Sequence, residues 1–145
     1  MIERFEHYTM SIFSISRSWN RLATVEMKKH GFRGAYALYL VMIATNEGNI
    51  TAAKLADLCQ RDKADVSRAI SAFQRKGILE PYGESRYRAA LRLTEDGKRL
   101  AAQVSLRADE VLEQAGKGIS EEMRKNMYLC LDTIAQNMSR ICDEK

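Results

Sequence analysis

ITAAKLADLCQRDKADVSRAISAFQRKGILEPYGESRYRAALRLT, residues 50–94, is the stretch that decides the fold. Thr51 is a good N-cap for a short helix over 52–58, and Leu55, Ala56 and Cys59 share one face there. Gln60-Arg61 marks a tight break. Asp62 then caps a second helix over 63–76, and Asp65 adds another acid to its first turn, where the helix dipole favours negative charge. Val66, Ala69, Ile70 and Phe73 recur at helical spacing and form an inward face, and Gly77 supplies a left-handed stop. Ile78-Leu79-Glu80 begins a strand that Pro81 ends or edges, residues 82–89 form a polar loop tip, and the alternating ALRL of 90–93 returns as a second strand. Short helix, tight turn, second helix and hairpin together spell a winged helix-turn-helix.

Charge points the same way. Residues 61–92 carry eight basic against four acidic side chains, an excess equal to the formal net charge of the whole chain, +4. A local basic patch suits a polyanion. The second helix fits the major groove of DNA, and its outward face carries Lys63, Ala64, Asp65, Ser67 and Arg68. Cations reach phosphates or guanine edges, Ser67 can donate or accept, and the small Ala64 permits close approach. Arg86 and Arg88 at the hairpin tip are candidates to enter the narrow minor groove, where the negative potential is strongest. Thr51 and Arg61, flanking the short helix, complete the candidate contacts. The competing reading is a winged helix that binds only protein. The basic hairpin favours DNA.

Outward from this module the chain reads as long helices. Residues 3–28 carry Phe5, Tyr8, Ile12, Ile15, Trp19 and Leu22 as a seam, and Gly31 and Gly34 punctuate its end. Residues 35–46 form a helix apolar on almost every side, which predicts a central core element. Thr94 caps a helix over 95–115, Gly116 and Gly118 break it, and Ser120 caps a last helix over 121–142. The last helix carries a stripe of Met123, Met127, Cys130, Ile134, Met138 and Ile141. A small DNA-reading module offers too little core to cover three long helices, so the terminal helices are expected to pack together and across a homodimer. The expected organisation is 1–34 as an N-terminal dimerisation helix, 35–94 as the winged helix-turn-helix and 95–145 as C-terminal dimerisation helices, all in one intertwined, mainly α domain with a small two-stranded β-hairpin wing.

Several classes are excluded or disfavoured. No apolar run reaches the roughly eighteen residues a membrane span needs, and MIERFEHY is charged from the start, so neither a membrane partner nor a signal peptide is expected and a cytoplasmic location is. Cys59, Cys130 and Cys142 are odd in number and lack CxxC spacing, so they predict no disulfide framework and read as small buried hydrophobes. His7 and His30 lack a ligand cluster, and no metal or cofactor is expected. Asp109-Glu110 and Glu121-Glu122 are sequence neighbours on helices and do not converge on one substrate, and no phosphate loop or nucleophile motif occurs, so no enzyme is expected.

The pieces TAAKLADL, DKADVSRAISAFQRKGIL and LRLTEDGKRL, with Leu93-Thr94 and Gly97 the most specific, resemble the MarR (multiple antibiotic resistance regulator) family, and the helix layout on both sides extends the resemblance over nearly the whole chain. The resemblance implies a homodimeric transcription regulator, in many members a repressor, bound to a pseudo-palindromic double-stranded operator. The fourth helix would sit in the major groove and the wing in the minor groove. Terminal helices would form the dimer region, with Phe5, Tyr8, Ile12, Met127, Ile134, Met138 and Ile141 as its candidates here. It also implies a small aromatic or lipophilic effector, for which Trp19, Tyr36 and Tyr39 are the candidate pocket residues; a ligand-independent regulator is the alternative. Two departures stand out. Family wings carry Asp-x-Arg, whereas Glu84-Ser85-Arg86 sits one residue further from Leu93-Thr94, leaving Arg86 or Arg88 to make the groove contact. Gln60 occupies a turn position that is often glycine.

Overall fold

The structure is a computed structural model that describes residues 2–85 and 87–144. Six α-helices occur among them: α1 (Ile2–Lys28), α2 (Tyr36–Thr45), α3 (Ala52–Cys59), α4 (Lys63–Arg75), α5 (Glu95–Ala115) and α6 (Glu121–Asp143). Each lies within a residue or two of the expected span. The four predicted caps form: the Thr51 hydroxyl accepts the Lys54 N–H at 3.2 Å, the Asp62 carboxylate the Asp65 N–H at 2.7 Å, the Thr94 hydroxyl the Gly97 N–H at 3.0 Å, and the Ser120 hydroxyl the Met123 N–H at 3.2 Å.

The chain divides into two compact units, Met1–Leu106 and Arg107–Lys145. The first holds the hydrophobic core. Its centre is α2, which buries Tyr36, Tyr39, Leu40 and Ile43, as its all-round apolar sequence requires. Onto it pack Leu55 and Ala56 of α3 and the full predicted face of α4, Val66, Ala69, Ile70 and Phe73. Between α3 and α4 the chain reverses through Gln60 at φ 51°, left-handed, with the Arg61 N–H donating to the Ala56 carbonyl at 3.0 Å. A side chain at that φ is tolerated at modest cost, so the turn survives without glycine.

The expected two-stranded wing takes a reduced form. Among the described residues the pairing consists of two isolated antiparallel bridges, Leu79 with Leu93 and Thr51 with Ala90. Glu80 N–H donates to the Arg92 carbonyl at 2.9 Å, and Leu91 N–H to the Ile50 carbonyl at 2.8 Å. Residues 90–93 thus pass between the lead-in to α3 and the exit from α4, tying the wing base to the helix-turn-helix on both sides. The ladder ends at once because Pro81 has no N–H to continue it. Beyond it, Arg88 adopts φ 52° and Arg86 lies outside the described residues.

The LTEDG segment closes this arrangement. Thr94 Oγ1 donates to the Gly77 carbonyl at 2.5 Å and accepts the Gly97 N–H at 3.0 Å, while Thr94 N–H donates to the Ile78 carbonyl at 3.0 Å. A Cβ on Gly97 would lie 2.0 Å from that Ile78 oxygen, so only glycine lets the first turn of α5 approach so closely.

In the second unit, Arg124 of α6 pairs with Glu113 at 2.8 Å and donates to the Gly116 carbonyl at 3.3 Å, joining the end of α5 to the start of α6. α6 has no buried residue. Its stripe is open, Ile134 being 37% and Met138 49% exposed, and the seam of α1 is likewise open, from Phe5 at 72% to Tyr8 and Ile12 at 38%. The expectation of buried cysteines fits only Cys59, which is half-buried against the core with its thiol pKa pushed up by burial; Cys130 and Cys142 are exposed, in keeping with the uncovered surface of α6. Among the described residues, no helix is long and apolar enough to cross a membrane, and no cluster of three or more His, Cys, Asp or Glu could hold a metal ion.

Candidate nucleic-acid interface

The outward side of α4 follows from its inward one. Because Val66, Ala69, Ile70 and Phe73 are buried, Lys63, Ala64, Ser67 and Arg68 are turned to solvent, and all four are exposed. Arg61, in the turn before α4, is exposed as well. Thr51 is half-buried, and its hydroxyl accepts the Lys54 N–H that starts α3. On the wing, Arg88 is exposed, its guanidinium 5.1 Å from the centre of the Tyr87 ring, and the Ser85 hydroxyl accepts the Tyr87 N–H at 3.2 Å. The sequence-predicted cations of the turn, helix and wing thus share one compact unit, except Arg86, which lies outside the described residues.

Asp65 behaves differently from its neighbours. Its Oδ2 accepts the Tyr39 hydroxyl at 2.6 Å, and its Oδ1 lies 3.3 Å from Arg68 and 3.6 Å from Arg33. The carboxyl is held below the usual range, first by the Tyr39 hydrogen bond, then by Arg68 and Arg33, against a burial effect of opposite sign. Tyr39 is raised well above the ordinary phenol, chiefly by burial and then by the Asp65 carboxylate. The charge of Asp65 is therefore answered within the protein. Both arginines are mostly exposed, so their ion pairs add little stability, whereas the short, part-buried Tyr39–Asp65 bond is charge-assisted.

Tyr36 and Tyr39, candidates for an effector pocket, are core residues: their ring centroids are 6.1 Å apart, and Tyr36 meets Phe73 edge-on at 5.8 Å. Trp19 is 40% exposed on α1. Sequence reasoning missed Arg33, an isolated residue in the His30-Gly31-Phe32-Arg33-Gly34 turn with no periodicity to flag it. It also missed the partnership of Tyr39 and Asp65, 26 residues apart. The one available clue was a tyrosine in a helix apolar all round, since a buried hydroxyl needs a partner.

Solved structures provide the comparison. A putative MarR family transcriptional regulator from Listeria monocytogenes, complexed with 26mer DNA, superposes with a TM-score of 0.81 at 24% identity, over 91% of this chain and 89% of that one. The chain has the MarR fold. A MarR transcriptional regulator from Methanosarcina mazei Go1 agrees at TM-score 0.79 and 21% identity, covering 94% of this chain and 99% of the other. MarR from Staphylococcus aureus, in complex with salicylate and kanamycin, agrees at 0.80 and 18%, covering 95% and 94%. Coverage this high on both sides makes the long terminal helices part of the MarR fold and not additions to it. No protein-family model and no curated protein matches the sequence.

Proposed function

We propose that the chain is a sequence-specific, DNA-binding transcription regulator of the MarR type, a repressor that acts as a homodimer on a pseudo-palindromic operator. The observation that carries this is the exposed set Arg61, Lys63, Ala64, Ser67 and Arg68 at the start of α4, mounted on the same packed core as a wing bearing Arg88. In the proposal α4 enters the major groove, where Arg68 and Ser67 face base edges and Lys63 and Arg61 meet phosphates; Arg88, with Arg86, enters the minor groove. The DNA complex of the Listeria regulator with this fold supports the assignment.

The dimer accounts for the open apolar surface. Phe5, Tyr8 and Ile12 of α1 and Met127, Ile134, Met138 and Ile141 of α6 are all exposed in the single chain, and a second copy is the simplest cover for them. Residues 1–34 and 95–145 then serve dimerisation, and 35–94 reads DNA. A small aromatic or lipophilic effector that modulates binding is the further part of the proposal, supported by the salicylate complex of the Staphylococcus regulator; Trp19, Tyr36 and Tyr39 are the residues to probe for it.

The test is selection of a duplex by the purified protein from a randomised pool of about 30 base pairs, three helical turns, followed by a binding titration. Recovery of a palindromic sequence, bound more tightly than its scrambled counterpart, is expected. Failure to enrich any sequence, with binding indifferent to salt, would leave the fold as a protein-interaction module instead.

A further inference from the structure

Arg33 belongs to the turn between α1 and α2, outside the helix-turn-helix and outside the wing, yet its guanidinium lies 3.6 Å from Asp65 Oδ1. Arg68, one turn along α4 from Asp65, approaches the same oxygen at 3.3 Å. The second carboxylate oxygen is fixed from below by Tyr39, which is 1% exposed. The Arg33 guanidinium carbon also lies over the Tyr36 ring, 5.7 Å from its centroid. The result is a layered device. A core tyrosine holds a carboxylate that is 19% exposed, and the carboxylate holds two arginines that are 65% and 60% exposed.

The chemistry is that of a phosphate contact. A bare carboxylate in the first turn of a groove-reading helix would repel the DNA backbone. Here one negative charge is shared by two guanidinium groups, so the cluster presents net positive charge to solvent. Each guanidinium has five N–H donors, and a single shared carboxylate oxygen leaves most of them free for the duplex, phosphate oxygens for Arg33 and base edges for Arg68. Tethering also lowers the ordering that such long side chains must undergo on binding. Resting on the DNA-binding function proposed above, the geometry points to Arg33 as a DNA-backbone contact, and to Tyr39 and Asp65 as positioning residues that steer Arg33 and Arg68 toward the duplex. The interface thereby extends beyond the winged module to the α1–α2 turn.

Fluorescence anisotropy tests this with the duplex selected by wild-type protein and a scrambled duplex, each across a salt series. Arg33→Ala is expected to weaken both by about tenfold and to reduce the steepness of the log affinity–log salt line by about one. Arg33→Lys, which keeps a point charge, is expected to retain the wild-type slope. Tyr39→Phe preserves every charge and should keep the slope, while the preference for the selected duplex falls several-fold because Arg68 is no longer held; circular dichroism verifies that it is folded. Wild-type affinity and slope in Arg33→Ala would overturn the Arg33 contact. Undiminished preference in Tyr39→Phe would overturn the positioning role. If wild-type protein itself binds neither duplex, the DNA-binding function falls first and this contact with it; if wild type binds and Arg33→Ala is indistinguishable, only the contact falls.

Discussion

Tyr39→Phe also has a defined consequence for stability. The substitution removes one oxygen from a residue that is otherwise part of the core and leaves the ring packing intact. What is lost is a 2.6 Å hydrogen bond to an ionised carboxylate. Bonds to charged groups contribute about 1.5–3 kcal/mol, and the partial exposure of Asp65, which lets water replace the donor, places the cost at about 2 kcal/mol. For a chain of this length that lowers the melting midpoint by about 6 °C. The pH dependence follows from the directions of the two shifts. The depressed Asp65 carboxyl contributes stability fully above its unfolded pKa of about 3.9, and the contribution is lost as pH falls through the lower folded value. The raised Tyr39 phenol contributes fully below its unfolded pKa of about 10, and that contribution is lost as pH rises through the folded value. The difference between wild type and Tyr39→Phe should therefore be flat between about pH 5 and 9 and shrink on both sides. Urea unfolding at fixed protein concentration measures it, the fixed concentration being needed because dimer stability varies with concentration. A variant within about 0.5 kcal/mol of wild type at pH 7, with a superimposable alkaline limb, would refute the pairing.

Three further outcomes are expected. Gly97→Ala forces a Cβ to within 2.0 Å of the Ile78 carbonyl oxygen; it should cost about 3 kcal/mol in urea unfolding, and a neutral effect would contradict the tight docking of α5 on the exit from α4. Replacing Arg86 and Arg88 together by alanine should reduce affinity for the selected duplex by about tenfold or more, measured by anisotropy; undiminished binding would remove the wing from the interface. Ile134→Glu combined with Met138→Glu places two charges in the open stripe of α6 and should turn a dimer into a monomer in light scattering, whereas a persistent dimer would relocate the interface.

Where a residue's role is set by its neighbours in sequence, it was legible in advance. The caps Thr51, Asp62 and Ser120, the periodic face of α4, the buried helix α2 and the stop at Gly77 all depend on local spacing or on one backbone conformation, and each formed as expected. The wing was legible as a chain reversal but not as a ladder, because its short pairing depends on residue 50, which closes it from the other side. Least legible was the state of Asp65. The sequence reading places it with Lys63 and Arg68 on the outward side of α4, whereas it sits on the flank of the buried face, and what engages it there is a hydroxyl on α2 that no local pattern connects to it. Gly97 belongs to the same class: its specificity was visible as a motif, but its cause is the approach of a carbonyl from Ile78.

Light scattering on the complex with the selected duplex, together with the salt dependence of its affinity, tests the central claim most directly. Two chains per duplex and an affinity that falls steeply with salt are the expected results. One chain per duplex, or an attachment insensitive to salt, would contradict the account.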